Sequence, residues 1–413
     1  MADAGRRVRP GGSRAREGLL IARAAYLCVD AGIPVCGSKG ASVHVQAVAG
    51  TLARRGVEVE LLATRSEGAR PEALRGVVLH ALPPAPKGQP AQRERRAQAN
   101  DVANAARLVA LGPLDLVYER YSLWSAAPLE AARAAGIPTV LEVNAPLVDE
   151  QAEHRSLVHR HEAERATARA LAAADVIVAV SDGVAAWLDG WPEAEGRVHV
   201  IPNGVDPRRF PAPAREARPR RPGEPFTVGF LGTLKPWHGL DTLVAAFVGL
   251  RERFPEARLR IVGDGPQREA LRDALAAAGA LEVAKLVGAV SPAEVPGHLA
   301  AMDVAVAPYP DLRPFYFSPL KVVESMAAGL PVVASRVGAL DDLVAHGATG
   351  LLCPPGDPAA LAGALGELVG DPGRCVRMGT AGRARALAQH TWDAVVDRVL
   401  ALAVPVPSLG LPA

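Results

Sequence analysis

Short apolar runs alternate along this chain with longer stretches whose apolar residues recur at helical spacing. The runs predict strands over 24–29, 57–63, 116–119, 139–143, 176–180 and 198–201. Between them the helical period covers 42–55, 101–111, 129–135 and 153–173. The strands read as continuous apolar runs rather than alternating ones, which suits a parallel sheet covered by helices on both faces. A Pro- and Arg-rich stretch over 207–225 interrupts the pattern and predicts a linker. The pattern then restarts with a strand over 227–231, a helix over 240–253, a strand over 258–262 and a helix over 267–278. Strands over 283–287, 304–307 and 332–334 complete the second series, and 359–402 is helical with breaks at Pro372 and near His390. The expectation is α/β architecture in two units, 23–206 and 226–386, followed by a last helical segment, 387–413.

Composition narrows the function classes. A chain of 413 residues is too long for one ordinary core, and 49% apolar content gives each of two domains enough to bury. A net charge of +2 argues against nucleic acid as the main partner. No apolar run approaches the roughly 20 residues of a spanning helix. The Arg- and Gly-rich residues 1–22 read as a disordered basic tail without the apolar stretch of a secretory signal, so a cytoplasmic location is expected. Cys28, Cys36, Cys353 and Cys375 form no Cys-x-x-Cys pair and read as buried thiols. Arginines outnumber lysines 41 to 5, and three of the five lysines, Lys39, Lys235 and Lys321, fall in Gly- or Pro-punctuated turns, as if a compact cation were wanted there.

The densest chemistry lies in Ser318-Pro319-Leu320-Lys321-Val322-Val323-Glu324, which runs on to Gly329-Leu330-Pro331-Val332-Val333. Ser318 reads as an N-cap, Pro319 as the first helical residue and Gly329 as the helix end. The first turn leaves backbone N–H groups free, and the helix dipole makes that end attractive to phosphate. Lys321 adds a cation, and Glu324 one turn on adds an acceptor on the same face as Leu320 and Lys321. The alternative is a well-capped helix carrying a surface Lys–Glu pair.

This segment resembles the donor-binding signature of glycosyltransferase family 4, retaining enzymes of the GT-B fold. Glu324 matches the second acid of the family's Glu-x7-Glu pattern, while Tyr316 stands where the first acid falls and Ser318-Pro319 replaces the usual Phe-Gly. The chain thus resembles the Tyr-x-Ser-Pro-Leu-Lys sub-pattern, over roughly residues 24–402. The resemblance implies two Rossmann-like parallel-sheet domains facing across a cleft, the first for the acceptor and the second for a nucleotide diphosphate-sugar, with the last helix returning to the first domain from Thr391-Trp392-Asp393. Lys321, Glu324, Lys235 and Asn144 are the implied catalytic residues. Gly40, Thr233, Gly265, Val287, Ser318, Pro319, Leu320 and Glu324 are the implied donor-binding positions.

Each loop also has a plain reading. Gly37-Ser38-Lys39-Gly40 follows the first strand and opens a helix, as a phosphate-facing loop or an ordinary turn would. Gly232-Thr233-Leu234-Lys235-Pro236-Trp237-His238-Gly239 stands where the family has Gly-Arg-Leu-x-x-x-Lys-Gly, so Thr233 and His238 replace two cations and Lys235 is the candidate substitute. Trp237 reads as a cap on the hinge. Gly263-Asp264-Gly265-Pro266 and Val287-Gly288 resemble loops that meet the nucleotide through backbone atoms. Ser181-Asp182-Gly183 and Pro202-Asn203-Gly204 match two further family loops, the latter equally a plain turn. Asn144 stands where many relatives carry His; it hydrogen-bonds but cannot serve as a base at neutral pH, and Glu142 is expected on the opposite face.

His154, His159 and His161 fit no common ligand spacing, and Asp-x-Asp is absent, so neither metal nor cofactor is expected beyond the donor itself. Arg93, Arg95 and Arg96 suit a solvated face better than a membrane surface or an anionic acceptor. The expected activity is retaining transfer of a sugar to an unidentified acceptor, a glycan, lipid-linked molecule or small natural product. The alternatives are a nucleotide-sugar epimerase or hydrolase on the same fold, or a non-catalytic sugar-nucleotide-binding subunit.

Overall fold

The structure is a computed structural model that describes residues 21–84, 87–211, 224–312, 315–316 and 318–404. Most of the expected basic tail, residues 212–223 of the expected linker and residues 405–413 lie outside it. The first unit holds a seven-stranded parallel sheet of β1 (Arg23–Cys28), β2 (Glu58–Ala63), β3 (Val77–Ala81), β4 (Leu116–Arg120), β5 (Thr139–Val143), β6 (Val176–Ala179) and β7 (Val198–Val200). Their spatial order is β3-β2-β1-β4-β5-β6-β7. The second unit holds β8 (Thr227–Leu231), β9 (Arg258–Val262), β10 (Ala284–Gly288), β11 (Val304–Ala307), β12 (Val332–Ser335) and β13 (Gly350–Cys353), ordered β10-β9-β8-β11-β12-β13. In both sheets the strand order reverses beside the first strand, so the loops at the carboxyl ends of β1/β4 and of β8/β11 splay apart and leave a crevice.

The central strands of each sheet are buried on both faces, as continuous apolar runs require. Tyr26, Leu61 and Tyr118 pack on one side of the first sheet, and Leu27, Leu62 and Val117 on the other. The second sheet divides in the same way, with Phe230 and Ile261 on one side and Val262 and Ala305 on the other. Helix boundaries follow their caps. The Asp357 side chain accepts from Ala360 N at 2.9 Å, Asp371 from Arg374 N at 2.8 Å and Thr391 from Ala394 N at 3.1 Å. Pro358 and Pro372 fill the first helical positions after two of these caps.

Four elements depart from the sequence reading. β3, of five residues, and β13, of four, are edge strands that the sequence reading does not include. The helix expected over 101–111 begins eleven residues earlier, as Pro90–Val109. Its first half is polar and mostly exposed, so no apolar stripe announces it. The single helix expected over 153–173 is two, Leu147–His154 and Arg160–Ala173. The buried Glu94 carboxylate accepts from the backbone N–H groups of Val158 and His159 at 3.0 and 2.8 Å, which satisfies the start of the second helix outside the helical ladder.

The two units meet along one edge. Trp392–Ala403 lies against the first helix, Gly40–Arg54, with Trp392 edge-on to His44 at 4.8 Å. Arg55 binds Asp397 and donates to the Asp393 carbonyl at 2.8 Å. From the second unit, Leu320 packs on the core of the first. Among the described residues no helix is long and apolar enough to cross a membrane.

Candidate functional site

The loops after β8, β9 and β10 interlock. Gly232 N donates to the Val262 carbonyl at 2.9 Å, Leu234 N to Asp264 O at 3.0 Å, and Gly263 N to Gly288 O at 2.8 Å. Gly239 has φ +65°, and a Cβ there would run into the carbonyl oxygen of Pro308 after β11. A Cβ on Gly265 would strike the Leu234 backbone, so Gly265 is needed for loop packing. Thr233 is exposed, and its carbonyl takes the Nδ1 contact of His238. Val287 is half-buried beside Gly288 at the mouth of β10.

The helix Leu320–Ala327 points its N-terminus at this crevice. Ser318 is not its cap: Pro319 occupies that position, and no side chain caps the first turn. Instead Ser318 reaches the first unit, its hydroxyl accepting from Asn203 N at 3.4 Å, while its carbonyl accepts from Leu320 N. No side chain caps this turn; its Leu320 and Val322 amides are taken by the Ser318 and Pro319 carbonyls at 2.9 Å, and what the helix end offers a ligand is its remaining amides and the positive end of its dipole.

Lys321 passes beneath the crevice. Its stem is partly exposed, but Nζ is sealed from solvent, has no hydrogen-bond partner among the described residues, and lies 4.6 Å from the ring centres of both Phe230 and Tyr309. Burial draws its pKa down to about 7. His238 stands edge-on to Tyr309 at 5.5 Å; burial, then Lys321, and more weakly Lys235 lower its pKa to about 4. Lys235 lies 5.4 Å from the Trp237 ring centre. The structure therefore brings Lys321, Lys235 and His238 together. An ammonium with no hydrogen-bond partner among the described residues, at the positive end of a helix, is an environment that favours an incoming anion.

Glu324 does not pair with Lys321. Its Oε1 accepts from Arg209 Nη1 at 2.7 Å, a contact across 115 positions. Burial raises the Glu324 carboxyl above its usual range, and Arg209 acts against that.

Across the cleft the first unit supplies a buried polar network. Asn144 Nδ2 donates to Glu142 Oε1 at 2.5 Å, so the two side chains share a face, as residues two apart on extended chain do. That corrects the expectation for Glu142. Tyr118 donates to its other oxygen at 2.5 Å, Arg120 lies 3.3 Å from Oε1, and His44 Nε2 lies 2.7 Å away. Burial favours the neutral acid, yet His44, Arg120 and Tyr118 outweigh it and hold Glu142 at about 2. Asn144 is thus committed to Glu142, with its residue surface only half-buried. Gly40 opens the first helix next to Lys39, and nothing lies within 4 Å of a Cβ added to it. Gln46 holds the preceding loop by donating to the Val35 and Gly37 carbonyls at 2.8 and 2.7 Å.

The two described histidine side chains of this group take separate partners. His159 Nδ1 binds Glu94 at 2.8 Å, His161 lies 3.9 Å from Glu164, and the His154 side chain lies outside the described part. Sequence reading missed Arg209, Phe230 and Tyr309. Arg209 sat in the expected linker, and the two aromatics read only as strand and turn residues.

A family model described as "Glycosyltransferase Family 4" matches residues 38–209, and one described as "Glycosyl transferases group 1" matches 225–371. The chain is 30% identical over 386 residues to a D-inositol 3-phosphate glycosyltransferase of Stackebrandtia nassauensis, covering 87% of this chain and 85% of that one. It is 37% identical over 209 residues to a GDP-mannose-dependent alpha-(1-6)-phosphatidylinositol monomannoside mannosyltransferase of Mycobacterium tuberculosis. That match takes in 49% of this chain and only 54% of the relative, about half its length. The solved structure of Anabaena Alr3699/HepE in complex with UDP and glucose superposes with a TM-score of 0.68 at 20% identity, covering 94% of this chain and 100% of that one, a likeness of fold.

Proposed function

The chain belongs to glycosyltransferase family 4, and on that premise we propose that it moves a glycosyl group from a nucleotide diphosphate-sugar to an acceptor hydroxyl with retention of configuration. The observation that carries this reading is the Lys321 ammonium, enclosed by Phe230 and Tyr309 beside uncapped helix amides. The donor diphosphate would sit over these amides, which, with Lys321, offset the negative charge that grows on the leaving group. The glycosidic bond from C1 to the β-phosphate oxygen breaks, and a bond from C1 to the acceptor oxygen forms on the same face. The acceptor's proton passes to the departing phosphate oxygen, so the enzyme supplies no base. This suits Asn144, which hydrogen-bonds but does not titrate. Glu142, ionised and tied to His44, Arg120, Tyr118 and Asn144, keeps that wall of the cleft in one arrangement.

The reading is tested by a thermal-shift screen of nucleoside diphosphates and nucleotide sugars, since a ligand that binds only the folded state raises its melting temperature. The stabilising donor is then offered to glycan, lipid-linked and small-molecule acceptors, and product configuration is read by NMR. A retained anomeric configuration supports the proposal. An inverted product overturns retention, and free sugar or an epimer as the sole product favours hydrolase or epimerase chemistry. Binding without turnover on any acceptor favours a non-catalytic subunit.

A further inference from the structure

Arg209 belongs to the short 3₁₀ turn Pro207–Arg209, which leads from the first unit into the linker. Its backbone is anchored to the second unit. The next residue, Phe210, is buried in that unit's core, and its carbonyl accepts from Arg383 Nη2 at 2.6 Å. The guanidinium is therefore presented from a fixed point. Nη1 donates to Glu324 Oε1 at 2.7 Å, and Nη2 donates to the Pro292 carbonyl at 2.7 Å. Pro292 stands four residues beyond Gly288, in the loop leaving β10. Glu324 stands one turn into the helix whose N-terminus faces the crevice. The planar fork thus ties two separate walls of the crevice together, a geometry for which a lysine has no equivalent.

The carboxylate itself calls for such a partner. Glu324 has 18% of its side chain exposed, and burial alone favours its neutral form. Arg209 is the one charged group among the described residues that acts on it. The contact uses Oε1 and so leaves Oε2 for other partners. A carboxylate held ionised and oriented is a strong acceptor for a pair of neighbouring hydroxyls, whereas a neutral, rotating one is a weak acceptor.

Building on the functional reading above, we infer that Arg209 is a positioning residue for donor recognition: it fixes Glu324 as the acceptor of the donor's ribose diol and braces it against the loop after β10. It acts through Glu324 and touches no reacting atom. Its loss should therefore fall on donor affinity and not on the rate of the bound complex.

The experiment measures binding of a nucleoside diphosphate and of its 2′,3′-dideoxy analogue to wild type, Arg209→Met and Arg209→Lys by calorimetry, with KM and kcat for the matching nucleotide sugar. The nucleotide is whichever one stabilises wild type in the thermal-shift screen. Arg209→Met is expected to bind the ribose form about 10- to 100-fold more weakly, the value of one or two lost charge-assisted contacts. It is expected to bind the dideoxy form like wild type, to raise KM and to leave kcat within about threefold. Arg209→Lys should recover part of the discrimination, since a single charged bond to Glu324 remains possible. If Arg209→Met keeps wild-type ribose discrimination, or weakens both nucleotides equally, Arg209 does not position the ribose contact. Should Arg209→Met fail to fold, Arg209→Lys alone decides: its discrimination must lie below wild type. Wild type that binds no nucleotide at all overturns the functional reading itself and this inference with it, an outcome distinct from unchanged discrimination.

Discussion

The Lys321 ammonium lies 4.6 Å from the centre of the Tyr309 ring and has no hydrogen-bond partner among the described residues. A ring face offers such a cation only about 0.5–2 kcal/mol, less than a charged hydrogen bond would give, so the group remains poised for an anion. Lys321→Ala is expected to slow transfer by about 10²-fold, in the range of a lost charge-stabilising donor, with an unchanged circular dichroism spectrum. Full activity in that variant would remove Lys321 from the proposed site.

The same burial links stability to pH. The Lys321 pKa is lowered from 10.5 to about 7 in the folded chain. Between those values the unfolded chain binds more protons, so this residue's contribution makes stability rise as pH rises from about 7 toward 10.5. Below about 7 the folded protein carries a buried charge. Lys321→Met, which lacks that slope, should melt above wild type at pH 6, and the gap should close by pH 10. A constant gap across that range would show that the ammonium is solvated.

Glu119 gives the opposite slope. It is fully buried at the end of β4, neither carboxyl oxygen makes a well-formed hydrogen bond, and burial pushes its pKa up to about 8. Here the folded chain binds more protons between about 4.5 and 8, so stability falls as pH rises through that window. Glu119→Gln should match wild type near pH 5 and melt progressively above it toward pH 8.5. Parallel melting curves would mean that Glu119 ionises freely.

Metal removal should have little effect. Among the described residues no three His, Cys, Asp or Glu side chains gather closely enough to hold an ion, and the proposed mechanism gives the charge of the leaving group to Lys321 and the helix end instead. Transfer measured in excess EDTA should remain close to the untreated rate. Activity that disappears and returns with magnesium or manganese would transfer that role to a metal.

Gly183 tests the contact between the two units. A Cβ there would run into the Phe315 carbonyl oxygen, and the neighbouring Ser181 hydroxyl donates to the Tyr316 carbonyl at 2.7 Å. Gly183→Ala should therefore displace the segment leading into Leu320–Ala327. The expected cost is about 1–3 kcal/mol, typical of overpacking, together with weaker nucleotide binding. Wild-type melting and affinity would show that this contact is not kept in solution.

Local chemistry made much of this protein legible in its sequence. Unbroken apolar runs such as Val176–Ala179 and Val304–Ala307 reveal strands buried on both faces, because no polar residue interrupts them. Pro372 and the end near His390 mark breaks that depend only on neighbouring backbone groups. The helix that carries Lys321 was readable for the same reason. What the sequence could not supply were partners set by chain crossing. Periodicity is blind to a contact spanning 115 positions, so the pairing of Glu324 with Arg209 could not be read before the fold brought them together. Ser318 looked like a cap until the second unit brought it against Asn203. The walls around Lys321 come from two strands' ends, Phe230 on β8 and Tyr309 after β11, and only the sheet order makes those strands neighbours. Sequence determined which groups carry charge and which segments bury; tertiary structure decided which of those charges meet, because desolvation and pairing depend on distances that chain spacing does not encode.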